Sequence, residues 1–229
     1  MESGVPAKPN FLNRKLRGRD LLPLVSGFVL LFAVSIAGSV LISRYRHDAR
    51  LRSTIPRLCA EICQQRQCIA GAIDAYRQAL NFYPPDHVLQ KNPLVVDAYT
   101  NQLLYELVGT VHDPTNRYFM PAGFAPISEQ MVQSYFHAVR FANCVEHPEK
   151  IRHFLDSSNI NATLALHQKP DVALLAFFPS WEGIEPELMS QIELGSWRYN
   201  CSSPTHNPGS YDLWIEIRTE QTNIVIGNW

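Results

Sequence analysis

Along this chain the hydrophobic and polar positions change rhythm three times, and each rhythm predicts a different kind of element. Between Asp20 and Arg44 stand 23 residues without a charge, LLPLVSGFVLLFAVSIAGSVLIS. As an α-helix rising 1.5 Å per residue, this run is about 35 Å long, against about 30 Å of bilayer hydrocarbon. In lipid a lone segment must satisfy its own backbone, which leaves the helix as its form. Pro23 is expected in the first turn, where a missing N–H costs nothing. Ala33, Ser35, Ala37, Gly38 and Ser39 recur at helical spacing, and small residues let a second membrane helix approach closely. The competing reading is a cleaved signal peptide with Ser35-Ile36-Ala37 as its small-x-small site. Against it, the leader is long and the apolar run continues through Val40, Leu41 and Ile42.

Past Arg44 the rhythm becomes amphipathic. RYRHDARLRS holds no helix breaker, so the helix is predicted to run on. Apolar residues then fall at Ile55, Leu58, Cys59, Ile62 and Cys63, and again at Ile69, Ala72, Ile73, Tyr76, Ala79, Leu80 and Tyr83. Both sets have three- and four-residue spacing. Polar Gln64–Gln67 separates them, which predicts two short helices joined by a tight turn. Asn92 and Pro93 read as a helix start and Gly109 as its stop, with Leu94, Val95, Ala98, Tyr99, Gln102 and Tyr105 along one side. His112–Pro126 reads as a long loop, and its Tyr118, Phe119, Met120 and Phe124 make it a candidate partner-docking segment. Ser128 is the expected cap of an amphipathic helix burying Met131, Val132, Tyr135, Phe136 and Val139. A short helix is expected around Pro148–Leu155.

From about residue 162 the period shortens to two. ATLALH, DVALLAFF and ELGSWRYN read as strands, the second apolar enough to be covered on both faces. In YDLWIEIRT, Tyr211, Leu213, Ile215 and Ile217 face one way and Asp212, Glu216 and Arg218 the other. TNIVIGNW should pair with it across Thr219–Thr222. Helices first and a mostly antiparallel C-terminal sheet afterwards make an α+β arrangement behind a single transmembrane helix. The expected organisation is a basic leader (1–20), a membrane helix (21–43), and one domain whose mainly helical part (44–157) precedes a mainly β part (158–229).

One segment carries a family likeness. Ala72, Tyr76, Ala79 and Pro84, with Ala60 before them, stand at the small, aromatic and proline positions of a tetratricopeptide repeat. AIDAYRQALNFYPPD resembles the second helix of that repeat. The likeness spans residues 55–85. The first helix lacks the usual Trp and Leu-Gly, and Glu106 replaces the small residue where a second copy would stand. The resemblance implies peptide binding or scaffolding; an ordinary helical hairpin over the core is the alternative.

Charge sharpens the division. Residues 1–57 hold ten Lys/Arg against three acids, a net +7, and residues 58–229 hold ten against eighteen, a net −8. Basic flanks suit lipid headgroups, while an acidic body argues against nucleic acid as partner. Five basic residues precede the span and five follow it, so the Lys/Arg bias does not orient the helix. The acidic body and the five cysteines beyond the span favour a body outside the cytoplasm or matrix.

Chemical signatures are absent from the sequence. It contains no P-loop, no Gly-x-Gly-x-x-Gly, no Gly-x-Ser-x-Gly, no HExxH and no CxxCH, so no cofactor is expected. His147-Pro148-Glu149 imitates half of a zinc deaminase motif without its Pro-Cys-x-x-Cys. Cys59, Cys63, Cys68, Cys144 and Cys201 are read as core residues first, then as disulfide partners, with metal last. His112-Asp113 is either a turn opener or an acid–base pair in a cleft. Asn161-Ala162-Thr163 and Asn200-Cys201-Ser202 fit the glycosylation sequon.

The expectation is a non-catalytic, single-pass accessory or scaffold subunit of a larger membrane complex of respiratory or secretion type, with other membrane subunits and the bilayer as partners. A bacterial cytoplasmic or mitochondrial inner membrane suits it. A membrane-tethered enzyme and a tetratricopeptide-type adaptor are the alternatives.

Overall fold

The computed structural model describes residues 18–86, 101–156, 172–177, 179, 182, 184, 186–220 and 222–229, without the side chains of 18–27 and 47. The leader to residue 17, the expected helix start at Asn92-Pro93 and the expected strand ATLALH lie outside them. The chain divides into two compact units, Met1–Arg52 and Ser53–Trp229.

The first unit contributes the first part of helix α1, which spans Gly18–Leu80. By length and composition, α1 is the one helix among the described residues apolar enough to cross a membrane. Pro23 is its sixth residue rather than part of its first turn. Every side chain described from Phe28 to Tyr45 is exposed except Gly38, which is half-buried. Phe28, Leu30, Leu31 and Phe32 lie at 68–72% exposure. The apolar residues surround the helix, so no single side of it can be hidden by packing.

In the second unit α1 behaves in the opposite way. Leu58, Ile62, Ile69, Ala72, Ile73 and Tyr76 form one buried stripe at helical spacing. The helix runs unbroken through Gln64–Gln67, so the expected hairpin does not form. Gln65 explains the difference. It stands on the stripe between Ile62 and Ile69, and its side-chain oxygen accepts the indole N–H of Trp197 at 2.7 Å. The polar residue marks a hydrogen bond to the sheet rather than a turn. Arg66 adds a second tie, to the carbonyl of Gly227. Asn81, left-handed at φ 64°, ends the helix.

Two small sheets follow. The first has strand order β3-β2-β1-β4, built from β1 (Thr110–Asp113), β2 (Tyr118–Pro121), β3 (Ile127–Ser128) and β4 (Cys144–Val145). Its pairs are antiparallel apart from β1 with β4, which run parallel. A sheet therefore occupies part of the region expected to be helical, and the expected His112–Pro126 loop is largely a β-hairpin. Helix α2 (Leu103–Val108) precedes β1, and α3 (Glu129–Phe136) continues from β3. The helix expected at Pro148–Leu155 is one 3₁₀ turn, Pro148–Lys150. Gly109, between α2 and β1, sits at φ +75°, and a Cβ there would come within 2.7 Å of the Arg152 carbonyl. Only glycine fits that corner.

The second sheet is antiparallel about a central β7 (Asp212–Arg218). On one side of it lie β5 (Glu193–Leu194) and β6 (Arg198–Asn200), and β8 (Asn223–Gly227) pairs with it as well. The β7–β8 hairpin turns at Thr219–Thr222 as its alternation predicts. Residues 172–177 are buried throughout and form no named strand; Ala176 bridges Ser196, and the Leu175 carbonyl accepts the Trp197 N–H at 2.8 Å. Helix α4 (Pro186–Met189) precedes β5. Leu213, Ile215 and Ile217 of β7 are fully buried, and so are Trp197 and Tyr199. Asp212 departs from the alternation: its carboxylate is buried rather than facing water. Burial pushes that carboxyl up, but the backbone N–H groups of His206, Thr205 and Asn207 outweigh it and hold its pKa below the ordinary range.

Candidate functional site

A cleft of about 610 Å³ lies beside the β1–β2 hairpin and α3. Its geometry grows from one turn. Asp113 ends β1, and its Oδ1 accepts the N–H groups of Thr115 and Asn116 at 3.0 and 3.1 Å. Asn116 Nδ2 adds a bond of 2.8 Å to Oδ2. These bonds, the Asn116 side chain foremost, hold the Asp113 carboxyl below its ordinary pKa. Arg117 closes the turn at φ 58° and is delivered to the rim. Of the two roles weighed for His112-Asp113, Asp113 fills that of turn former.

His112 takes a different carboxylate. Its Nε2 lies 2.8 Å from Oε1 of Glu129, the first residue of α3. Arg117 Nε donates to the other oxygen, also at 2.8 Å. The contacts from His112 and then Arg117 lower the Glu129 pKa. The His112 ring stacks on Phe119 at 4.8 Å, which fixes its plane. Ser128 caps α3 as expected, its hydroxyl accepting the Met131 N–H at 3.2 Å. Glu129 therefore stands at a helix N-terminus, where a negative charge is favoured.

Across the cleft stands Arg140, whose Nη2 donates to the Cys144 carbonyl at 3.0 Å. The segment behind it is held by a buried carboxylate. Glu106 of α2 has no exposure, and it accepts the N–H groups of Ala142 and Asn143, each at 2.8 Å. The Tyr76 hydroxyl and the Gln102 amide complete its shell at 2.9 and 3.0 Å. Burial pushes its pKa up against the pull of those four donors. Asn143 also bonds the Glu106 carbonyl and the Arg152 carbonyl, and its own carbonyl accepts Thr110 N–H. One carboxylate thus ties α1, α2 and the irregular segment 139–143 that carries Arg140.

The residues singled out from sequence scatter. Phe119 is buried against Phe141 and is unavailable to a partner, because β2 alternates and turns it inward. Tyr118 and Met120 are exposed, and Phe124 is half-buried. Ala33, Ser35, Ala37 and Ser39 are exposed on α1, and Gly38 has nothing within 4 Å of where a Cβ would stand. All five cysteines are free thiols. Only Cys144 is buried; Cys59 and Cys63 flank the buried stripe of α1 instead of belonging to it. Among the described residues no group of three or more His, Cys, Asp or Glu side chains could hold a metal.

Three members of the site escaped sequence reading. Glu106 offered a signal, an acid at the centre of an otherwise apolar helix, LLYELV. Glu129 and Arg140 offered none, since their role depends on a hairpin that brings residue 129 to residue 112. A smaller cleft of about 370 Å³ lies by the C-terminus, where His206 stacks on Trp229 at 3.8 Å. No family model, curated protein or solved structure matches this chain.

Proposed function

We propose that the chain is a single-pass, membrane-anchored and non-catalytic subunit, whose second unit serves as a scaffold within a larger membrane protein complex. The observation that carries this is the exposure of Phe28–Ile42 on all sides of α1. Burying apolar surface is worth about 25 cal/mol per Å², and an uncovered band this long is a membrane or partner site rather than a surface for water. On the second unit, exposed Tyr118, Met120 and Val139 supply apolar contact points for a neighbouring subunit. The acidic body favours a location outside the cytoplasm or matrix, at a bacterial cytoplasmic or a mitochondrial inner membrane.

The test is alkaline carbonate extraction followed by native mass spectrometry from mild detergent. The protein should stay in the pellet and then migrate in an assembly heavier than its own 26.0 kDa. Release to the supernatant removes the anchor, and a lone chain in the spectrometer removes the subunit role.

A further inference from the structure

We propose that the cleft between the β1–β2 hairpin and α3 binds a small oxyanion, a carboxylate or phosphate group, with Arg140 as its principal charge partner. This assignment does not depend on the membrane reading, because every residue it uses lies in the second unit.

Charge within the cleft is the first support. It is lined by two arginines against a single carboxylate, Glu129. Both oxygens of that carboxylate are occupied, one by His112 and one by Arg117. Glu129 is therefore offset where it stands. Arg140 is the remaining charge: among the described residues it pairs with no acid, and its hydrogen bond to the Cys144 carbonyl uses one Nη. A guanidinium presents five N–H donors in a planar fork that matches carboxylate and phosphate oxygens. The surplus is local, since residues 58–229 as a whole carry a net −8. A cationic recess in an acidic body concentrates small anions at that point.

The second support is shape and chemistry around Arg140. A volume of about 610 Å³ falls within the range of small-molecule sites. Gln130 and Gln133, one helical turn apart on α3, present neutral amide donors without a competing charge. The far wall is pre-formed: Glu106 fixes Ala142 and Asn143, and Phe141 stacks on Tyr105 at 4.7 Å. The backbone behind Arg140 is thus held in place before a ligand arrives, leaving only the exposed side chains of Arg140, Gln130 and Gln133 to be ordered.

Isothermal titration of the full chain in neutral detergent, at low salt, against inorganic phosphate and against succinate tests the assignment. Saturable binding of either probe is expected. Phosphate alone identifies a phosphoryl ligand, and succinate alone a carboxylate. Arg140→Gln should weaken binding by about tenfold or more, as loss of a charged hydrogen-bond donor does. Gln133→Glu, an exposed change to a good helix former, should do the same by placing a second acid in the cleft, which keeps the test open if Arg140→Gln fails to fold. No binding of either probe up to about 10 mM overturns the proposal. So does binding that both variants leave unchanged.

Discussion

Helix α1 contains two stretches, one an uncharged apolar run and one amphipathic, whose apolar side chains meet opposite fates. Upstream of Arg52, Leu30, Leu31, Val34 and Leu41 are all exposed. Downstream, Leu58, Ile62, Ile69 and Ile73 are buried to 1% exposure or less. The difference is angular. Upstream, apolar residues occupy every direction around the axis, so packing on one side leaves the others bare. Downstream they occupy a stripe, and polar neighbours such as Arg66 and Gln67 take the remainder. Hydrophobicity sets how strongly a helix leaves water, and its distribution around the axis sets whether lipid or protein receives it.

The sharpest way to break this comparison is to charge the upstream stretch. Leu31→Arg with Val34→Arg should move the full chain from the carbonate pellet to the supernatant, at about 2.5–3.5 kcal/mol for each arginine at a span centre. The urea midpoint of the second unit should hold. A chain that stays in the pellet would show that something other than this stretch retains it.

Next in size is one substitution made in both stretches. Ile73→Ala should destabilise the second unit by about 2–5 kcal/mol, the usual cost of a cavity in a packed core. Ile36→Ala, in the exposed stretch, should leave the same unfolding transition in place. Equal losses from the two would erase the distinction between the stretches.

The smallest effect concerns pH and two buried carboxyls of the second unit with opposite shifts. Glu106 is raised, so the native state keeps its proton after the unfolded chain has lost it. Its contribution is greatest below the ordinary glutamate range and declines as pH rises through the folded pKa. Asp212 is lowered, so its contribution is present above the ordinary aspartate range and is lost as pH falls through the folded pKa. Urea unfolding of Glu106→Gln should show a shallower decline from pH 5 upward than the parent, and Asp212→Asn a shallower loss below pH 4. Parallel pH profiles for parent and variants would assign both carboxyls unshifted behaviour.

Local pattern alone determined several features of this protein. The uncharged run, the Ser128 cap, the buried row Leu213, Ile215 and Ile217, and the hairpin closing at Thr219–Thr222 all depend on residues within a few positions of one another, where period and capping chemistry act directly. The tertiary structure decided the rest. Gln64–Gln67 looks like a turn until Trp197, more than a hundred residues away, supplies the donor that lets Gln65 stay on the stripe. His112-Asp113 looks like a pair until the hairpin hands Asp113 to the turn and His112 to Glu129. Glu106 and Asp212 are tolerated inside because donors from distant backbone converge on them, and a linear chain does not display that convergence. Burial of a charge is settled by which partners the fold gathers around it, and that gathering is a property of the whole domain.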